Sequence, residues 1–134
     1  MLIPLIALLI STSGTISTLP TEMRGSWGDD ITDCEPEFVH GQAIEARNIG
    51  YYEGDDTLIG ATPLKAIQTP YGPGRTMVAR LKYRFHDDTS KSVERFTVVG
   101  HWLYRSNSKL AIAKHFSRKN RHVRCPAGST GTKT

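Results

Sequence analysis

Five histidines, His40, His86, His101, His115 and His122, are the side chains best suited to proton transfer or metal ligation near neutral pH. His86 lies beside Asp87 and Asp88 in a turn-forming run, and His101 lies on the return strand of the same hairpin. One reading is therefore a small metal-free hydrolase or nuclease using His101 and His86, with Glu94 or His115 as partner to His101 and basic residues holding a phosphate. The plainer reading is a solvated, capping His-Asp turn. No GxSxG nucleophile motif occurs. The acidic run Asp29, Asp30, Asp33, Glu35 and Glu37 lacks the D-x-[DN]-x-[DN]-G alternation of a calcium loop. The sequence thus predicts no catalytic residue, no metal and no cofactor.

Cationic side chains form a clearer pattern. Over residues 77–85, Met77, Ala79, Leu81, Tyr83 and Phe85 alternate with Val78, Arg80, Lys82 and Arg84. Successive side chains of a strand point to opposite faces, so Arg80, Lys82 and Arg84 share one face and the apolar row takes the other. Tyr83 and Phe85 point away from the cations, which argues against stacking on single-stranded nucleic acid. Arg75 precedes this strand, and Lys114, Arg118, Lys119, Arg121 and Arg124 supply a second basic group. Arg80, Lys82, Arg84, Arg121 and Arg124 are the predicted binding residues, for an anionic partner such as lipid headgroups or cell-wall polymer.

Charge follows the same division. Residues 18–56 hold two basic and ten acidic side chains, whereas residues 57–134 hold fifteen basic and three acidic, for a formal net charge of +4. Such halves attract each other when folded together, so part of this asymmetry is internal complementarity.

Residues 1–10 are almost wholly apolar and are followed by a small polar stretch. The run is too short to span a bilayer and has the form of a secretory signal. The predicted division is a signal peptide over 1–17, a single domain over 18–126 and a flexible tail over 127–134. The n-region has no Lys or Arg, and the rival reading is an amino-terminal membrane anchor. In an exported chain the two cysteines, Cys34 and Cys125, read as one disulfide joining positions 91 apart. On the chain-entropy model such a loop stabilises by about 4 to 5 kcal/mol.

Strand candidates at 43–46 and 49–52 precede an acidic turn at 53–56. Residues 57–67 lean to strand, with Gly60 and Pro63 marking a bulge or an edge. Residues 69–74 are dense in turn formers and read as a loop. Residues 93–105 form the longest candidate, with apolar residues on both parities that suggest burial from two sides or a bulge near Gly100. Residues 110–116 read as strand by the shared parity of Leu110, Ile112 and Phe116, although Ala and Lys content also suits a short helix. Short strands separated by turns predict an all-β fold, an antiparallel meander closing into a barrel of about seven to eight strands.

Gly25-Ser26-Trp27 resembles the glycine-x-tryptophan element that opens lipocalins, and the layout resembles small exported bacterial calycin-like barrels. The resemblance implies that the Trp27 ring packs at the closed end of a barrel under an arginine, here Arg121 or Arg124. The other lipocalin signature elements have no counterpart. The general description is also similar to that of periplasmic lysozyme inhibitors, which implies an alternative binding role with the acidic residues 29–37 as the contact. The leading expectation is an exported, periplasmic or secreted, non-enzymatic binding protein.

Overall fold

A computed structural model of the chain describes residues 15–34 and 41–126. Residues 1–14 of the predicted signal, Glu35, Glu37 and His40, and the predicted tail lie outside the described residues.

The alternating stretch is the middle of a longer strand, β6 (Gly72–Phe85). Met77, Ala79 and Leu81 are buried while Arg80, Lys82 and Arg84 are exposed. β7 (Asp88–Val99) returns antiparallel along it, from Phe85 opposite Asp88 to Arg75 opposite Val98. On its other edge β6 meets two strands in succession. β4 (Asp55–Ala61) pairs with its C-terminal half and β5 (Lys65–Thr69) with its N-terminal half. The register slips between Leu58 and Gly60, and the row breaks around Pro63, which has no N–H to donate. Thr62 secures the broken end: its N–H donates to the Val78 carbonyl at 2.8 Å and its Oγ1 accepts from the Val78 N–H at 2.9 Å.

β1 (Gly25–Gly28), β2 (Gln42–Ile44) and β3 (Asn48–Gly50) lead by antiparallel pairing into β4. β8 (Trp102–Asn107) and β9 (Arg121–Arg124) follow β7, and β9 returns to β1 through Trp27–Arg124 and Gly28–Val123. The sheet therefore closes into an eight-stranded antiparallel barrel, with β5 prolonging the row of β4. This is the fold class the sequence predicts.

Apolar side chains fill one part of the interior: Trp27, Ile44, Leu58, Met77, Phe96 and Leu103 pack with Leu19 and Met23 from the segment entering β1. Trp27 is fully buried, and its Nε1 donates to the Met23 carbonyl at 2.9 Å. Arg124 lies over the ring at 4.1 Å and donates to the carbonyls of Arg24 (2.9 Å) and Glu22 (2.5 Å). The cover over Trp27 is thus Arg124, while Arg121 stacks on Trp102 at 3.9 Å. Ile16 exchanges two backbone hydrogen bonds with Ala61, at 2.7 and 3.1 Å. Cys34 and Cys125 are joined, with Cα atoms 5.4 Å apart.

Three local expectations are corrected. Gly100 is not a bulge within one strand; with φ 58 it forms the turn that separates β7 from β8. Residues 110–116 are not a strand but contain the single-turn helix α1 (Ile112–His115), because both edges of β8 are already taken by β7 and β9. Residues 69–74 form a tight hairpin turn with little loop: Gly72 takes φ 115, and Thr69 Oγ1 accepts from Tyr71 N–H at 3.0 Å and donates to Gly72 O at 2.7 Å.

Candidate functional site

The β6–β7 hairpin turns at His86 and Asp87, which sets Lys82 directly opposite Lys91 and Arg80 opposite Val93. Cross-strand partners share a face, so Arg80, Lys82, Arg84 and Lys91 stand together on the outside of the barrel, all exposed. Among the described residues the ion pair on this row is Arg84 Nη2 to Asp55 Oδ2 at 3.6 Å. Both its members are solvated, and such pairs are worth little. Like charges directly opposite each other are destabilising, so the Lys82–Lys91 pair is a cost the sheet bears.

Beside this row lies a cavity of about 390 Å³ lined by Ile59, Arg80, Lys91, Val93 and Lys109. Ile59 and Val93 give it apolar walls, 44% and 41% exposed. The absence of a side chain at Gly60 makes room for Arg80, since a Cβ there would lie 3.0 Å from Arg80 Nη2. Sequence reading missed Lys91, Lys109, Ile59 and Val93. Arg121 and Arg124 do not join the face: β9 is separated from β6 by β7 and β8, and both guanidinium groups lie over tryptophan rings.

A second missed cluster lies inside the barrel. Arg105 of β8, its side chain 10% exposed, donates from Nε to Glu94 Oε1 at 2.5 Å, from Nη1 to Gln42 Oε1 at 2.7 Å and from Nη2 to Asp56 Oδ2 at 2.8 Å. The Tyr51 hydroxyl donates to the same Asp56 oxygen. Burial pushes the Tyr51 phenol well up, so it stays protonated. Burial opposes the Arg105 charge, but the ion pairs and hydrogen bonds to the Glu94 and Asp56 carboxylates more than offset it and the guanidinium is held above its ordinary range. Both carboxylates are committed to one cation, which makes this a structural tie rather than an acid-base pair.

The four described histidines do not converge. His86 and His101 are exposed and sit in the turns at opposite ends of β7, about 35 Å apart at the rise of an extended strand. They cannot share one substrate or metal. His122 Nδ1 lies 3.1 Å from Asp29 Oδ1, and burial pulls its pKa down against the pull of that carboxylate. Among the described residues no group of three or more His, Cys, Asp and Glu side chains is placed to hold a metal.

His115 of α1 is fully buried against the outside of the sheet. Its Nδ1 meets Ser106 Oγ at 2.5 Å and its Nε2 meets Thr97 Oγ1 at 3.0 Å; Thr97 meets Thr76 at 2.8 Å, and Thr76 donates to the Phe96 carbonyl at 3.1 Å. With the Thr76 proton spent on the carbonyl, Thr97 must donate to Thr76, Nε2–H to Thr97, and Ser106 to Nδ1. The chain is satisfied by a neutral imidazole. Burial, helped by the Arg95 charge, pushes the His115 pKa down to about 4. A His with a lowered folded pKa contributes stability that is full above its unfolded value of about 6.5 and is lost as pH falls toward 4. Melting temperature measured from pH 7 to pH 4 is expected to fall more steeply in the native chain than in His115→Gln. Parallel curves would show that His115 does not titrate in this window.

Comparison with known proteins finds no family model that matches this chain, no curated protein that matches it and no solved structure that matches it.

Proposed function

We propose that this chain is an exported, non-enzymatic binding protein that holds an anionic envelope partner, lipid or cell-wall polymer, against the outer face of β6 and β7. The observation that carries this reading is the opposition of Lys82 and Lys91, flanked by Arg80 and Arg84. A ladder that retains facing like charges gives up stability for the field they make together, and an anion is what relieves that repulsion. The disulfide supports an oxidising compartment. Arg124 over Trp27 supports a lipocalin-like reading of the barrel. No helix among the described residues is long and apolar enough to cross a membrane.

The test is retention of the purified chain on vesicles containing phosphatidylglycerol and on anionic wall polymer, as salt is raised. Each surface cation is worth about 1 kcal/mol near an anionic membrane. Lys82→Gln with Lys91→Gln is therefore expected to weaken binding roughly thirtyfold, and moderate salt to release the native chain. The same double variant is expected to be more stable by about 0.2 to 1 kcal/mol, because the repulsion is gone. Retention indifferent to both salt and substitution would sink the reading.

A further inference from the structure

The break between β4 and β5 opens a cavity of about 480 Å³ on the outside of the sheet. Pro63 and Val78 give it apolar walls, and Lys65 stands exposed on its lining. Thr62 also lines it; its Oγ1 accepts from the Val78 N–H, which leaves the hydroxyl proton to donate outward. Thr76 lines it as well, but its hydroxyl is engaged by the Phe96 carbonyl and by Thr97. The remaining polar side chain is Arg95 of β7, which lies opposite Val78 on one side and Ser106 on the other.

Arg95 contrasts sharply with Arg105. All three guanidinium nitrogens of Arg105 meet acceptors on three other strands. Arg95 is half-buried, pairs with no carboxylate among the described residues, and its Nη1 is occluded with no hydrogen-bond partner. A guanidinium N–H withdrawn from water without an acceptor is costly, and native structures seldom leave one so. Among the described residues no carboxylate lines the cavity that could serve.

We propose that this cavity is a binding site for a small organic anion, a carboxylate or phosphate monoester with a short apolar body. The anionic head sits beside Arg95 and Lys65 and accepts the Thr62 hydroxyl proton, while the body lies against Pro63 and Val78. Charge complementarity supplies the pairing that Arg95 lacks within the chain. The site uses none of Arg80, Lys82, Arg84 or Lys91, so it stands whether or not the outer face binds an envelope polymer.

The experiment is a titration of the full chain followed by backbone amide shifts, with hexanoate, hexyl phosphate, inorganic phosphate and hexanol as probes. Hexanoate or hexyl phosphate is expected to shift the amides of Lys65, Val78 and Arg95, with a dissociation constant on the order of 1 mM. The tighter of the two identifies the head group. Inorganic phosphate is expected to bind more weakly, and hexanol not at all. Lys65→Met, an exposed substitution that leaves the fold intact, is expected to weaken hexanoate about fivefold, and Arg95→Met about tenfold or more. Lys82→Gln with Lys91→Gln should leave it unchanged. Equal binding of hexanol, absence of shifts at those three amides, or indifference to Lys65→Met would each overturn the proposal, as would loss of binding in the Lys82/Lys91 variant.

Discussion

Replacing Arg105 with Met is expected to cost about 3 to 5 kcal/mol of folding stability. The side chain projects from β8 into the barrel and grips Gln42 on β2, Asp56 on β4 and Glu94 on β7. β2 and β4 do not pair with β8 in the sheet. The guanidinium therefore ties strands across the interior that the backbone ladder never brings together. Met retains much of the volume and the packing against Phe96, over which the guanidinium lies at 4.9 Å. What it removes is the positive charge bonded to two carboxylates whose side chains are 3% and 20% exposed. Glu94 keeps some water, which sets the expected loss toward the lower end of the range. The triple variant Arg105→Met, Asp56→Asn, Glu94→Gln is expected to recover most of it, since exchanging a whole buried ion cluster for neutral groups is often close to neutral. Urea unfolding measures both, with an unchanged m-value as the check that the same transition is compared. A loss below about 1 kcal/mol in the single variant would contradict a buried charge cluster at this position.

How much of this was open to reading depends on where a parity rule survives. Over residues 77–81 it survives intact, with Met77, Ala79 and Leu81 in the core, while Tyr83 and Phe85 keep the parity but are only half-buried toward the hairpin turn. Residues 93–105 are different. Read as one strand, they set Phe96 and Val98 in step with Trp102 and Tyr104; the turn at Gly100 and His101 changes the phase, and the interior row continues instead as Leu103 and Arg105. That single turn hid the Arg105 tie, since Glu94 is in step with Phe96 but Arg105 does not look inward until β7 and β8 are separated. Asp56 was hidden for a related reason: an acidic run after Gly54 reads as a turn, yet its last two residues open β4 and Asp56 points into the barrel opposite Tyr83. Lys91 was closer to legible, because a two-residue turn at His86-Asp87 is enough to put it across from Lys82. The cavity beside Pro63 depends on Arg95 and Lys65 being brought together across β6, a long-range placement that local pattern does not carry.

The double variant Cys34→Ser with Cys125→Ser is expected to lose about 4 to 5 kcal/mol, the loop-closure entropy returned to an unfolded chain whose cross-link spanned 91 positions. Where the bond lies gives the loss a location as well as a size. Cys34 ends a 3₁₀ turn shortly after β1, and Cys125 follows β9 directly, its N–H donating to the Ser26 carbonyl at 2.9 Å. The cross-link thus fastens the seam where the barrel's first strand meets its last. That seam is short: its register covers Trp27–Arg124 and Gly28–Val123, while β6 and β7 pair from Arg75–Val98 through Phe85–Asp88. A barrel without the bond should open there first, exposing the Trp27 ring that Arg124 covers. Hydrogen exchange on the double variant is expected to accelerate at Trp27, Gly28 and Val123 before it does so at Met77 or Phe96, and Trp27 fluorescence to shift under milder urea than in the oxidised chain. Uniform acceleration across both sets of amides would instead place the effect wholly in the unfolded state. A variant within 1 kcal/mol of the oxidised protein would mean that the seam closes without the bond, and that the ladder and the Arg105 tie are by themselves sufficient to hold the barrel shut.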